Sequence, residues 1–105
     1  MESNNTTEKI TFYVGLRTSE GDDINGPDAI ALIKGVMSEV TDGYNITHSY
    51  GYWKGVQERC LIVSFLNLSG ASESLINSAA IAIKMRLKQE AVLVERCSVS
   101  FRMVE

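Results

Sequence analysis

Lys9-Ile-Thr-Phe-Tyr-Val-Gly-Leu-Arg17 is the stretch whose pattern decides the fold. Ile10, Phe12, Val14 and Leu16 fall on one side of an extended chain, and Lys9, Thr11, Tyr13 and Arg17 on the other. Alternation with a period of two marks a strand that buries a single face. Such a strand needs a second layer to bury that face against, and the residues that follow supply one.

Thr18 to Gly26 is rich in Ser, Gly, Asp and Asn and reads as a loop. Pro27 suits a first helical position, and Asp28 suits the positive end of a helix. Ile30, Ile33, Met37 and Val40 recur at helical spacing, so a helix is predicted from about Pro27 to about Thr41, closed by Gly43 as a left-handed cap. Tyr44–Trp53 and Glu58–Leu66 read as strands joined by Lys54-Gly-Val-Gln57, a link short enough for a hairpin. Ser72 is the expected N-cap of a second helix, with Glu73 in its first turn and Lys84, Arg86 and Lys88 toward its end. Ile76, Ala79, Ala80, Ile83 and Leu87 form its buried stripe. Ala91–Met103 closes the series as a strand, with Leu93, Cys97, Val99, Phe101 and Met103 alternating with Ser98, Ser100 and Arg102.

Strand, helix, strand, strand, helix, strand is the order of a ferredoxin-like β-α-β-β-α-β plait. This is an α+β fold in which right-handed crossovers place two helices on one face of a four-stranded antiparallel sheet. Another two-layer arrangement with the same element order is the competing reading. Residues 1–8 are polar and read as a flexible tail, and residues 9–105 as a single domain. Helices on one face leave the other open to water, a partner or a ligand. The expected open face carries Thr11, Tyr13 and Arg17 from the first strand and Ser98, Ser100 and Arg102 from the last. If Leu61, Val63 and Phe65 pack under the helices, Cys60, Ile62 and Ser64 join it.

Composition narrows the function classes. At 105 residues the chain is long enough for one core without metal or disulfides. A net charge of −3 gives no general attraction to nucleic acid or anionic membranes. Cys60 and Cys97, 37 positions apart with a lone histidine in the chain, do not have metal-ligand spacing and read as reduced, partly buried thiols. The N-terminus lacks the basic and apolar segments of a secretory signal, and no apolar run approaches the ~20 residues of a membrane span. The expected location is the cytoplasm, the host's if the chain is phage-encoded.

No catalytic motif stands out. His48 has Ser49 and Ser64 as nearby nucleophile types, but neither lies in a nucleophile-elbow sequence. Glu20, Asp22 and Asp23 read as a solvated turn, and no phosphate-binding glycine motif is present. The informative stretch is Tyr50-Gly-Tyr-Trp-Lys-Gly-Val-Gln-Glu-Arg59. Its aromatic faces can stack on planar rings, Lys54 and Arg59 can neutralise anions, and its glycines allow close backbone approach. The same residues would serve as a cover for the core edge or as an anchor on a neighbouring subunit.

The strand-three sequence Glu58-Arg-Cys-Leu-Ile-Val-Ser-Phe65 lacks the aromatic pattern of RNA-recognition domains. Gly15-Leu-Arg17 does not match the acylphosphatase loop, and the C-x-x-C of metal-carrying plaits is absent. Phe12-Tyr-Val-Gly-Leu16, Gly51-Tyr-Trp-Lys-Gly-Val-Gln-Glu58 and Val92-Leu-Val-Glu95 together resemble small uncharacterised proteins of phages and bacteria. By analogy, that resemblance implies a phage anti-defence protein, a sponge for nucleotide-derived immune signals. Nitrogen-regulatory signal proteins also use a plait and bind nucleotides between subunits, though their loop sequences are not found here.

The resulting expectation is a non-catalytic, oligomeric binding protein without cofactor, metal, nucleic acid or membrane partner. Its ligand would be small, anionic and ring-containing. Tyr13, Arg17, Tyr50, Tyr52, Trp53, Lys54, Arg59 and Arg102 are the expected ligand-binding residues. The alternatives are a protein–protein inhibitor or assembly factor that binds a host protein through residues 50–59, and a small dimeric α/β-barrel enzyme using His48 and Tyr13.

Overall fold

The computed structural model describes residues 5–105. The elements are β1 (Asn5–Gly15), α1 (Gly26–Met37), β2 (Asn45–Trp53), β3 (Val56–Leu66), α2 (Glu73–Arg86) and β4 (Leu93–Phe101). The sheet order is β2-β3-β1-β4 with every neighbouring pair antiparallel. This is the ferredoxin-like α+β plait.

The alternation in β1 sets the layer. Ile10, Phe12, Val14 and Leu16 are buried, and the cross-strand register aligns Leu61, Val63 and Phe65 with them. Ala29, Ile33, Val36 and Met37 of α1 and Ile76, Ala79, Ala80 and Ile83 of α2 close over this face. Phe12 and Phe65 meet edge-on, with ring centroids 6.1 Å apart. Cys60, Ile62 and Ser64 therefore face the open side, as the register condition anticipated.

Local chemistry bounds each element. Asn25 caps α1 by accepting from the Asp28 amide at 3.0 Å, and Ser72 caps α2 by accepting from the Leu75 amide at 3.1 Å. The first helix ends at Met37, short of the expected Thr41, although Val40 stays buried in the turn that follows. Gly43 is not left-handed; the Thr41 hydroxyl bonds the Gly43 backbone instead and closes this end. The hairpin link is the two residues Lys54 and Gly55, with φ of 50° and 79°, rather than four. Positive φ at both positions is the type I′ turn that matches strand twist. Val56 and Gln57 accordingly belong to β3, opposite Trp53 and Tyr52.

Two further expectations are corrected. β1 begins at Asn5 and pairs with Phe101, so residues 5–8 are strand and not tail, while residues 1–4 lie outside the described residues. β4 presents the opposite face from the one anticipated. Thr11 pairs with Glu95, Lys9 with Cys97 and Thr7 with Val99, so Leu93, Glu95, Cys97, Val99 and Phe101 share the open face. Ser98 and Ser100 turn to the helix side, where Arg96 bonds Glu8 and Glu73. Cys97 is exposed rather than partly buried.

Candidate functional site

The end of the sheet at the hairpin gathers most of the expected ligand-binding residues. The chain just past β1 delivers Arg17 and β3 delivers Arg59 there, tied by the Leu16 amide donating to the Arg59 carbonyl at 3.0 Å. The Arg59 guanidinium reaches over the loop before α1 and donates to the Ile24 carbonyl at 3.3 Å. Arg17 pairs with Asp23 at 3.9 Å across an isolated bridge. Tyr50 stands opposite Arg59 and Tyr52 opposite Gln57, which donates to the Tyr52 hydroxyl at 2.9 Å. These two tyrosines and Arg59 share the helix side of the hairpin with His48, whose ring lies beside Gly26 at the start of α1.

Trp53 projects from the other side. It is 69% exposed, and the Lys54 ammonium lies 5.8 Å from its ring centroid. That geometry is a cation–π contact in open solvent. Tyr13 occupies the open face nearer the middle of the sheet and donates to Glu95 at 3.0 Å. This bond to a carboxylate, with some loss of hydration, pushes the Tyr13 phenol above its ordinary pKa.

Three expected partners do not come together within one chain. Arg102 follows Phe101, which pairs with Asn5, whereas the hairpin lies beyond Gly15 at the other end of β1. Tyr13 pairs with Ile62 and through it with Thr47, while His48 pairs with Leu61 on the reverse side. The acid–base pair of the α/β-barrel reading is therefore split across the sheet.

Sequence reasoning passed over Gln89. It is buried, in the turn after α2 where Lys88 takes a left-handed φ of 54°. Its side-chain nitrogen donates to the Arg17 carbonyl at 2.7 Å, which ties this turn to the cationic end of β1. Lys88-Gln-Glu90 looks like a solvated helix exit, so nothing local signals the contact.

Burial raises the pKa of the Cys60 thiol on the open face. Two surface grooves lie elsewhere. One of about 360 Å³ runs between α1 and α2, lined by Gly35, Val36, Leu75 and Ala79 among others. Another of about 530 Å³ lies beside Asp42, Phe65 and Leu68. Neither is lined by any of the eight expected residues. Among the described residues, no cluster of histidine, cysteine and carboxylate side chains is placed to hold a metal ion, and no helix is long and apolar enough to cross a membrane.

No protein-family model and no curated protein matches the chain. Among solved structures, a phage SAM lyase in complex with S-methyl-5'-thioadenosine is similar with a TM-score of 0.70 and 15% identity, covering 92% of this chain and 90% of that one. The same description in an apo state gives 0.68 and 17%, with 93% and 90% covered. CPII from Thiomonas intermedia K12, bound to ADP, AMP and acetate, gives 0.56 and 10%, with 96% and 93% covered. A companion structure describes CPII as a nitrogen regulatory PII-like protein. At these identities the likeness is one of fold.

These comparisons correct the expectation of a non-catalytic protein. That expectation rested on the missing motif. The SAM lyase matches set an enzyme on this plait over nine-tenths of both chains, so the missing motif is no argument against catalysis here.

Proposed function

We propose that this chain acts on S-adenosylmethionine, as a lyase, at the hairpin end of an oligomer. The observation that carries the reading is the coincidence of two things. One is likeness along nearly the whole chain to a lyase holding S-methyl-5'-thioadenosine. The other is an exposed set of aromatic and cationic side chains at one end of the sheet, with Tyr50, Tyr52 and Arg59 on its helix side and Trp53 on its open side. The PII-like neighbour, bound to ADP and AMP, supports the adenosine part of the ligand.

The chemistry reconciles catalysis with an unremarkable set of side chains. The sulfonium of S-adenosylmethionine departs as a neutral thioether and needs no general acid. In the proposed step the substrate's own carboxylate oxygen bonds to its γ-carbon as the carbon–sulfur bond breaks. The electron pair goes to sulfur, and the products are S-methyl-5'-thioadenosine and a lactone. No proton moves and no nucleophile of the protein is consumed. The protein's part is to hold the reactive conformer, which is worth several powers of ten in rate. Aromatic faces of the hairpin attract the sulfonium, and an arginine orients the carboxylate.

Placement supports the oligomer in this reading. Arg102 reaches a hairpin only if that hairpin belongs to a neighbouring copy, and the open face carries Leu93, Val99 and Phe101 as apolar surface for such a contact. Set beside the resemblance to small phage proteins, removal of an adenosine-bearing host metabolite fits an anti-defence role.

The test is incubation of purified protein with S-adenosylmethionine, followed by mass spectrometry. Protein-dependent release of S-methyl-5'-thioadenosine supports the reading, and release should fall in a Trp53→Ala, Arg59→Ala double variant. Binding without turnover overturns the lyase step and keeps the ligand class. Absence of both, with no binding of AMP or ADP, overturns the whole reading.

A further inference from the structure

The ladder between β1 and β4 stops at the Tyr13–Leu93 pair, which leaves the carbonyls farther along the chain without a strand partner on that side. Gln89 takes over at one of them. Its Nε2 donates to the Arg17 carbonyl at 2.7 Å, and the residue is 9% exposed. A carbonyl oxygen only accepts, so the carboxamide is oriented: nitrogen toward Arg17, Oε1 away from it. Oε1 lies 3.2 Å from the point where a Cβ would stand on Gly15. It accepts no hydrogen bond from the described residues, and it is not among atoms sealed from water. Gly15 belongs to the cross-strand row Ser49–Cys60–Gly15, whose side chains are all small and lie on the open face. A flat ring laid over that row would turn its edge toward the carboxamide.

We propose that Gln89 reads the base of the ligand and selects a 6-aminopurine, an inference that rests on the adenosine reading above. Oε1 accepts from the exocyclic amino group, and the second Nε2 proton meets the adjacent ring nitrogen. This is the two-point pairing that a glutamine makes with adenine. A 6-oxopurine instead sets an acceptor against Oε1, and discrimination of roughly tenfold or more follows. Gly15 is part of the device, because a methyl group there would press on Oε1 and displace the carboxamide.

Calorimetric titration with 5'-methylthioadenosine and 5'-methylthioinosine tests the assignment. Wild-type protein should bind the adenosine compound at least tenfold more tightly. Gln89→Met, which keeps the length and loses the amide, should bind both alike and at the weaker level. A folded Gln89→Met protein with the preference intact overturns the base-reading role alone. Wild-type protein that binds neither compound overturns the adenosine reading and this inference with it. If the variant does not fold, the Gln89 side-chain amide signals of ¹⁵N-labelled wild type decide the matter. They must shift on saturation with 5'-methylthioadenosine, and signals that stay in place overturn the proposal.

Discussion

Arg96 forks onto Glu8, with contacts of 2.6 and 3.1 Å, and its other nitrogen meets Glu73 at 3.0 Å. One guanidinium thus pins β4 to β1 and to the first turn of α2. The hydrogen bond from Arg96 holds the Glu8 carboxyl below its ordinary pKa. A depressed carboxylate contributes stability that is present above its unfolded value, about 4.5, and lost as pH falls through the folded value. Thermal melts of wild type and Glu8→Gln should therefore differ at neutral pH, and the gap should narrow as pH falls below about 4.5. A gap unchanged at pH 3 would count against the pair. Arg59 belongs to the other end of the molecule. Replacing it by alanine should weaken adenosine-ligand binding roughly tenfold or more, as loss of a charged hydrogen bond does, with little change in melting temperature. Equilibrium dialysis checks this, and unchanged affinity removes Arg59 from the site.

The β2–β3 hairpin turns on two residues with positive φ, and only one of them is glycine. Lys54→Asn, better suited to that conformation, should raise stability by a few tenths of a kcal/mol, and Gly55→Val should cost about 1–2 kcal/mol. Urea midpoints measure both, and an unaffected Gly55→Val protein would argue against the type I′ turn. The same element shows what sequence reading can and cannot reach. The period of β1, the Ser72 cap and the α2 stripe are local patterns, and each was readable because one physical constraint dominates it. The turn length was not, since Val56 and Gln57 pair only once β2 and β3 choose a register. β4 offered two parities. Val92 and Val94 pack against the core, while Leu93, Val99 and Phe101 are just as apolar and point the other way. Pairing with β1 and the Arg96 bonds select the first, which composition alone does not. Most of the cationic and aromatic cluster was visible as a run of residues 50–59. Arg102 was assigned to it without a register to show that it ends at the opposite end of the sheet. Gln89 acts through a contact 72 positions away in sequence, beyond any local signal.

At the scale of the whole molecule, one sheet face is sealed by helices and the other presents Trp53, Val56 and Leu93, each more than half exposed. Apolar surface of this kind commonly marks an interface. Sedimentation should show a concentration-dependent assembly that a Leu93→Glu, Phe101→Glu variant dissolves. A wild-type monomer at tens of micromolar would rule out the self-association. The sheet order carries a further implication for synthesis on the ribosome. β1 is made early, yet its partner β4 comes last, so Asn5 waits for Phe101. At ordinary elongation rates of about 5–20 residues per second, one flank of the central strand stays bare for several seconds. During that interval its backbone is an open template for a neighbouring nascent chain. Polysomes crowded with this message would be where mispairing starts, and a chain stalled before residue 93 would be degraded or aggregate rather than persist as a smaller folded protein.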